Sequence, residues 1–378
     1  MTELTQGLAD QFDFEMICGA PLVVTEKASF PPGCKIYQVP SLKFPKESFL
    51  SRALNDLSFL LSAFIRGIFL PSPDLFVSQT SPPCIWWVAF ALSRWHRKKW
   101  IHISKDVFPE NLDILMEGKF RPFLSFLKRF NTWILQRAER IVVIGEDMKQ
   151  GFLRREFASE KIVRICDWVD LKFIRLLPQR NQFSESKDLT DKFVVLYAGN
   201  LGRIHNLEDL LGAAEQFRNR QEIQFVFVGG GALRKKLIQE TRLRELANVK
   251  FFPFEVRSKL PEVLASAGAS VILLRKGMAG LSVPSKIYSI LASGRPILAC
   301  VEEESDITRI VRGSRSGFVV PPGNPQALAQ AIEELFTNQD QRDEMGRNGR
   351  HYAETMDYQN RALRSYAELF NNVLLPAR

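Results

Sequence analysis

Short apolar runs and helical patterns alternate along the second half of the chain. Runs rich in β-branched and aromatic residues predict strands over 193–197, 223–228, 249–252, 269–274, 296–301 and 317–320. Between and after them, apolar residues recur every three or four positions and predict helices over 207–217, 232–246, 260–266, 286–293 and 327–337. This alternation is typical of a parallel sheet whose strands are joined by crossover helices.

The first half shows the same pattern less regularly, with strand-like runs over 15–18, 74–78, 100–104, 140–144 and 161–165. Residues 2–12 predict a helix, because Leu4, Leu8 and Phe12 fall on one face. A doubly wound α/β domain usually opens with a buried strand and a glycine-bearing turn. We therefore expect the first strand of this domain to be missing from the sequence.

Length and composition indicate two folded domains. The chain has 378 residues, more than a single hydrophobic core usually serves. The stretch 178–191 is polar and predicts an exposed hinge between the two halves. The stretch 59–71 is the most apolar, but it is short and contains Arg66, so a membrane-spanning helix is not expected.

The net charge of +9 favours polyanions, anionic membranes or phosphorylated small molecules, without choosing among them. No RNA-binding or DNA-binding module accompanies the charge, so nucleic acid is not an expected partner. The five cysteines are odd in number and form no CxxC or Cys/His ligand pattern. They favour a reducing, cytoplasmic compartment and no structural metal.

Two glycine-rich turns follow predicted strands and are candidates for phosphate binding. Gly199-Asn200-Leu201-Gly202-Arg203 follows the strand over 193–197, and the three glycines 229–231 follow the strand over 223–228. Glycine lets the backbone approach a ligand closely, and a helix N-terminus offers unpaired N–H groups to a phosphate. Arg203 could add a charge-assisted contact. The alternative is a plain turn for the first motif and a flexible loop for the second.

A third candidate is the helix start at Pro284-Ser285-Lys286. Pro284 stands where the helix begins, and Gly294 with Pro296 predicts its end. A lysine in the first turn opposes the helix dipole, which is unfavourable unless an anion is bound there. Lys286 is therefore a candidate anion ligand, and the alternative is a solvated lysine.

Several segments carry a wider resemblance. In the second half they are AGNLG (198–202), VFVGGGALRKKL (226–237), NVKFFPF (248–254), LPEVLASAGASVILL (260–274), VPSKIYSILASGRPILA (283–299) and SGFVVPPGNPQALAQAI (316–332). In the first half they are TSPP (80–83), KDVFPE (105–110) and CDWVD (166–170). In order and spacing the set resembles retaining GT-B glycosyltransferases of family 4, within the branch that builds bacterial exopolysaccharide and O-antigen chains.

The resemblance implies an α/β protein of the GT-B type, with two Rossmann-like domains facing across a cleft. The acceptor-binding domain would span 1–185 and the nucleotide-sugar-binding domain 186–352, and a C-terminal helix over 353–378 would cross back to the first domain. The implied reaction moves a sugar, with retention at the anomeric carbon, from a nucleotide-diphosphate donor to a lipid-linked glycan in cell-surface polysaccharide synthesis. Neither a cofactor nor a metal is expected.

The family's functional positions carry over residue by residue. The implied donor-binding residues are Gly199, Asn200, Gly202, Arg203, Gly230, Gly231, Arg234, Phe254, Pro284, Ser285, Ser289 and Ser305. Lys286 would stabilise the leaving diphosphate. Asp106 and Glu110 would lie at the cleft and orient the acceptor or assist proton transfer. Alternatively, Asp106 or Glu110 caps a helix over 111–117.

Departures from the family pattern keep other functions open. Asn200 and His205 stand where many members carry Arg and Lys, and Ser289 stands where the family has a ribose-binding Glu. Together with the absent first strand, these departures leave open a non-catalytic paralogue that acts as a nucleotide-sugar-binding or scaffold protein. A GT-B sugar-nucleotide epimerase is a third possibility.

Two basic, aromatic-rich stretches, 86–100 and 119–140, look amphipathic. The second stretch combines aromatic with basic side chains. The aromatic ones are Phe120, Phe123, Phe126 and Phe130, and the basic ones are Lys119, Arg121, Lys128 and Arg129. Such a face can lie on an anionic leaflet. The alternative is a core helix with a solvated basic side. The expected location is the cytoplasm, with peripheral attachment to the inner face of the plasma membrane.

Overall fold

The chain folds into two compact units. The computed structural model describes residues 2–19, 33–44, 49–116 and 121–375. The first unit comprises Met1–Cys166 together with Asn360–Arg378, and the second comprises Asp167–Gln359. Both units have α/β architecture with parallel sheets, as the alternating pattern predicted.

The first unit contains two parallel sheets. Its strands are β1 (Glu15–Gly19), β2 (Lys35–Val39), β3 (Leu75–Gln79), β4 (Lys99–Ser104), β5 (Arg140–Val143) and β6 (Ile162–Arg164). Its helices are α1 (Thr2–Gly7), α2 (Phe49–Ile68), α3 (Ile85–Trp95), α4 (Glu110–Leu115), α5 (Arg121–Leu135) and α6 (Glu146–Arg154), with a 3₁₀ turn at Ser159–Lys161. β1 pairs with β2, and β3 to β6 pair in chain order. Within the described ranges, no strand joins the two sheets.

The second unit is built on one six-stranded parallel sheet. Its strands are β7 (Phe193–Ala198), β8 (Ile223–Val228), β9 (Val249–Phe252), β10 (Ala269–Leu273), β11 (Ile297–Cys300) and β12 (Gly317–Val320). Their spatial order is β12-β11-β10-β7-β8-β9, so the chain reverses direction across the sheet between β9 and β10. The residues after β7, β8 and β10 therefore leave the sheet at one edge, because parallel strands end on the same side.

Helices cover this sheet and continue to the end of the chain. They are α7 (Gln182–Ser186), α8 (Glu208–Gln216), α9 (Arg234–Leu243), α10 (Leu260–Ala265), α11 (Lys286–Ser293), α12 (Asp306–Ser314), α13 (Pro325–Thr337), α14 (Gln339–Met356) and α15 (Tyr358–Leu374), with a 3₁₀ turn at Arg257–Lys259. Local sequence explains several ends. The Asn324 side chain accepts from Ala327 N at 3.0 Å to cap α13, and Gly294 ends α11 with a φ of 66°.

The end of the chain returns to the first unit, as the predicted crossover requires. The Phe370 ring on α15 meets the Phe12 ring edge-on at 5.6 Å between centroids. The Lys99 ammonium donates to the carbonyl of Val373 at 2.7 Å. These contacts attach α15 to the first unit near its N-terminus and at the start of β4.

The prediction of an exposed hinge over 178–191 is wrong. Residues 182–186 form α7, whose N-terminus Asn181 caps by accepting from Phe183 N and Ser184 N. Phe183 is buried, and the Asn181 amide also donates to the carbonyl of Glu262 at 3.1 Å. The segment is thus packed into the second unit, which begins at Asp167 and not at residue 186. Phe183 is the one phenylalanine in this polar stretch, and it was not enough to predict that the stretch is packed rather than exposed.

None of the helices in the described part of the chain combines the length and the hydropathy needed to cross a bilayer.

Candidate functional site

The two glycine turns of the second unit are joined by backbone hydrogen bonds. Gly199 N donates to Val228 O at 2.9 Å, and Leu201 N donates to Gly230 O at 2.8 Å. Leu233 N, just before α9, donates to Leu201 O at 2.9 Å. The turns after β7 and β8 therefore form one surface at the carboxyl edge of the sheet.

Close approach of the two turns requires glycine at position 229. Its φ is 152°, and a Cβ there would lie 1.9 Å from the carbonyl oxygen of Gly199. A backbone oxygen cannot move aside as a side chain can, so no other residue fits without breaking the turn. This contact explains the first of the three consecutive glycines.

Lys286 brings the third predicted segment to the same surface. It is the first residue of α11, and a Cβ on Gly199 would lie only 3.1 Å from its Nζ. The side chain is half-buried as a whole, but its Nζ is fully buried and has no hydrogen-bond partner. The Nζ instead lies 3.7 Å from the centroid of the Tyr197 ring.

Burial without an anionic partner lowers the pKa of Lys286 to about 7. A desolvated ammonium is costly unless a counter-charge is supplied. A negatively charged ligand at Gly199 would supply that charge. The helix start and the glycine turns thus converge, as the sequence predicted.

Tyr197 and His205 surround this lysine, and sequence reasoning missed the role of Tyr197. The Tyr197 hydroxyl donates to the carbonyl of Asn200 at 2.8 Å, so one side chain contacts both the lysine and the first turn. His205 donates from Nδ1 to Leu273 O at 2.9 Å. Burial, with a contribution from the Lys286 charge, lowers the pKa of His205 to about 4, so the imidazole is neutral at physiological pH.

Phe254 closes one side of the glycine surface. Its ring lies 3.2 Å from a Cβ built on Gly230 and 3.4 Å from one built on Gly229, yet the residue is 49% exposed. An exposed aromatic face beside a glycine turn can stack on a planar ligand. Phe252, two residues earlier, packs instead against Phe183, with 6.1 Å between the ring centroids.

The remaining predicted residues of the two turns also lie at this surface. Asn200 and Arg203 are exposed, and a Cβ on Gly202 would lie 2.8 Å from the Asn200 amide nitrogen. A Cβ built on Gly231 would likewise lie 2.5 Å from Asn200 Oδ1. Arg234 is the half-buried first residue of α9. The exposed Arg203 guanidinium is therefore accessible to an anion.

The predicted site residues at α11 and α12 differ in solvent exposure. Pro284 is buried, Ser285 is exposed at the α11 N-terminus, and Ser289 is half-buried within the helix. Ser305 is only 3% exposed, and its hydroxyl caps α12 by accepting from Thr308 N at 3.2 Å. Ser305 thus has a structural task that the sequence analysis did not anticipate.

Two acidic side chains of residues 303–306 form ion pairs with arginines of the following helix, α12. Glu303 pairs with Arg312, and Asp306 pairs with Arg309 at 2.7 Å. A neighbouring carboxylate was overlooked: Glu302 Oε2 accepts from the N–H of Gly277 at 3.0 Å and of Ala279 at 3.3 Å. It anchors the turn that leads from β10 towards α11. In the sequence, nothing distinguishes Glu302 from the two glutamates that follow it.

Asp106 and Glu110 belong to the first unit. Glu110 opens α4, and its Oε1 lies 3.1 Å from Arg155 Nη1, while Oε2 is buried without a hydrogen-bond partner. The N-cap of α4 is Pro109, so neither acid occupies the cap, and residue 117 of the predicted helix lies outside the described ranges. Asp106 is half-buried just after β4. Their role towards an acceptor stays a prediction.

Among the described residues, no group of three or more His, Cys, Asp or Glu side chains is arranged to hold a metal ion.

Comparisons with known proteins agree on the family. The model of "Glycosyl transferases group 1" matches residues 178–352, and that of "Glycosyltransferase Family 4" matches residues 1–173. "Probable glycosyltransferase WbjE" of Pseudomonas aeruginosa is 30% identical over 302 residues, covering 78% of this chain and 74% of that protein. "O-antigen chain mannosyltransferase C" of Escherichia coli is 28% identical over 182 residues, covering 47% and 46%.

A solved structure shares the fold over most of the chain. Anabaena Alr3699/HepE in complex with UDP-glucose superposes with a TM-score of 0.70 at 16% identity, covering 90% of this chain and 86% of that one. At this identity the likeness concerns the two-domain GT-B fold alone.

Proposed function

This chain belongs to the group 1 glycosyltransferases of family 4, and on that premise we propose that its second unit binds a nucleoside diphosphate sugar at the Lys286 surface. The enzyme would transfer the sugar from this donor to a hydroxyl of a glycan acceptor. The supporting observation is the buried Lys286 Nζ, which has no hydrogen-bond partner and lies beside Gly199.

The proposed assignment of donor groups follows from chemistry. The diphosphate would lie between the two glycine turns and the α11 N-terminus, where backbone N–H groups, Lys286 and Arg203 can neutralise it. The base would stack on Phe254, whose ring is exposed beside Gly230. A UDP-glucose complex is known for the HepE structure of the same fold, which supports a nucleotide sugar as the donor class.

The proposed reaction breaks the bond between the anomeric carbon and the donor phosphate oxygen. The acceptor hydroxyl oxygen forms the new bond to that carbon, its proton is released, and the nucleoside diphosphate leaves. Negative charge grows on the diphosphate in the transition state, so preorganised cations there should supply the largest catalytic contribution. Retention at the anomeric carbon, independence of a metal, and acceptor orientation by Asp106 and Glu110 are further parts of the proposal.

Cell-surface polysaccharide synthesis is the proposed setting, with a lipid-linked glycan as acceptor. A related protein of Escherichia coli acts as an O-antigen chain mannosyltransferase, which supports this class of product. We propose that the enzyme works in the cytoplasm, where nucleotide sugars are made.

Release of nucleoside diphosphate from UDP-glucose, GDP-mannose and dTDP-glucose tests the proposal. Lys286→Met should lower turnover by about 100-fold or more, because it removes one donor to the leaving charge. Lys192→Met is the matched control, since Lys192 lies at the opposite, amino end of β7 and donates to Gln221 O. Circular dichroism verifies that both variants fold.

Two outcomes would contradict the proposal. Equal turnover of Lys286→Met and Lys192→Met would remove Lys286 from catalysis. Donor binding by the unmodified protein without turnover on any donor would favour the non-catalytic alternative. A run in excess EDTA tests metal independence, for which an unchanged rate is expected.

A further inference from the structure

Helix α5 of the first unit exposes a stripe of aromatic residues. Its buried face consists of Leu124, Leu127, Asn131, Ile134 and Leu135. Phe123, Phe126 and Trp133 are 62%, 66% and 46% exposed, and Phe130 is 37% exposed. The spacing of three, four and three residues places these four on one side of the helix. We call them the aromatic row. Residues 119 and 120 of the same amphipathic stretch lie outside the described ranges.

The aromatic row is held in place by its own stacking and by α3. Phe126 and Phe130 stack at 6.2 Å with planes 5° apart, and Phe130 and Trp133 stack at 6.1 Å with planes 11° apart. Trp87 on α3 meets Phe130 edge-on at 5.2 Å. The row is therefore a preformed surface and not a set of independent side chains. A contiguous exposed apolar patch of this kind marks an interaction site more often than single exposed residues do.

Positive charge borders the aromatic row. Helix α5 contains no Asp or Glu, and Arg121, Arg129 and Arg137 are exposed. The Arg137 guanidinium lies over the Trp133 ring at 3.7 Å from the centroid. Lys128, in contrast, pairs with Asp113 at 2.6 Å. Three exposed arginines thus stand on α5 or directly after it, and one of them covers a ring of the row, on a chain whose net charge is +9.

Three faces of α5 therefore differ in chemistry: one is buried, one is aromatic and one is basic. Rings with a polar edge or a neighbouring cation favour the boundary between acyl chains and headgroups. Arginines at the same level attract anionic headgroups. A protein partner would need acidic groups beside an apolar groove, whereas an anionic bilayer offers both properties over any area.

We propose that α5 docks the first unit on an anionic lipid surface, with the aromatic row inserted at headgroup depth and Arg121, Arg129 and Arg137 on lipid phosphates. This proposal goes beyond the donor site, because it concerns a different unit and needs no sugar transfer. It would bring the enzyme to the leaflet that carries lipid-linked acceptors.

Cosedimentation of the full chain with lipid vesicles tests the proposal. The probes are phosphatidylcholine vesicles with and without phosphatidylglycerol, at low and high salt. The protein should bind the anionic vesicles, release them at high salt and ignore the neutral ones. Phe123→Ser combined with Phe126→Ser should weaken binding by about tenfold, because the two most exposed rings of the row are lost. These two were chosen because Phe130 and Trp133 also contact α3.

Further variants separate charge from hydrophobicity. Arg121→Gln combined with Arg129→Gln should weaken binding to anionic vesicles by a similar factor and flatten its salt dependence. Leu243→Ser is the control for an exposed apolar residue, since Leu243 is 76% exposed on α9 of the second unit. It should leave vesicle binding unchanged. Nucleotide binding by every variant reports that the fold and the donor site are intact.

Three results would overturn the proposal. The first is absence of binding to anionic vesicles, and the second is equal binding to neutral ones. The third is self-association of the chain that is lost in the Phe123→Ser, Phe126→Ser variant without vesicle binding, which would make the row a contact between copies. Failure of sugar transfer would leave the vesicle result unaffected, so the two proposals fail separately.

Discussion

The two units differ in what they offer to a ligand. In the second unit, strands β7, β8, β10 and β11 are almost wholly buried, and the buried polar atoms without a hydrogen-bond partner include the ammonium of Lys286. In the first unit, β1 and β3 are half-exposed, and aromatic rings are exposed on the outside of α5. A buried charge calls for a small anion, and an exposed apolar row calls for a surface. The two proposals therefore give each unit a ligand of different size.

The largest expected effect is a loss of stability when alanine replaces a glycine, and this loss should differ between the two units. Gly229→Ala should lower the free energy of unfolding by about 2–4 kcal/mol, because its Cβ would meet the backbone oxygen of Gly199 at 1.9 Å and its φ is 152°. Gly67→Ala on α2 should cost less, since its Cβ would meet the Leu92 side chain, at 2.3 Å. Differential scanning calorimetry of both variants measures the difference. A Gly229→Ala protein as stable as the unmodified one would show that the two turns are not packed as described.

A pH profile gives the next largest effect. The pKa of Lys286 is about 7 in the folded protein and about 10.4 for a solvated lysine. Between these values the unfolded chain holds one more proton, so stability without donor should rise with pH across this window. Lys286→Met should remove that rise and be more stable than the unmodified protein at neutral pH. Chemical denaturation at several pH values measures both.

Donor affinity should decrease with pH over the range in which stability increases. A diphosphate needs the ammonium form of Lys286, so the affinity for UDP should fall as pH rises above about 7. His205 is already neutral there, because burial lowers its pKa to about 4. Calorimetric titration with UDP at each pH measures the slope. The same slope in Lys286→Met would assign the titration to another group.

The smallest effect concerns Tyr197, which links the lysine to the first turn. Tyr197→Phe keeps the ring beneath the Lys286 ammonium and removes the 2.8 Å hydrogen bond to Asn200 O. One such bond contributes about 0.5–1.5 kcal/mol to the stability of the turn, so UDP affinity should fall by at most roughly tenfold as the turn becomes less preorganised. Tyr197→Leu, which removes the ring as well, should lose more. Equal affinities for the two variants would mean that the ring does not support the ammonium.

The two units also differ in how well sequence predicted them. Strands β8, β9 and β12 and helix α11 begin and end at the predicted residues, because buried parallel strands form continuous apolar runs bounded by glycine. In the first unit, β2 and α2 were not predicted. In α2, leucines such as Leu50, Leu57 and Leu61 are exposed, so its apolar residues are not confined to the buried face that the helical pattern is expected to mark.

Within the second unit, some site residues were predicted and others were not. Gly199, Gly230 and Lys286 were predicted from turn and helix-start chemistry, and the structure brings them together. Tyr197 and Glu302 were missed, because their contacts join segments distant in sequence. A tyrosine inside a strand predicts core packing, and nothing local reveals that its hydroxyl reaches a neighbouring turn.

A crystal structure of the chain with bound UDP would show whether Lys286 and the glycine turns hold the diphosphate. We expect the diphosphate between the turns at Gly199 and Gly230, with an oxygen within hydrogen-bond distance of Lys286 Nζ, roughly 2.7–3.2 Å. A diphosphate bound elsewhere, with the Lys286 ammonium still lacking a partner beside Tyr197, would contradict this expectation.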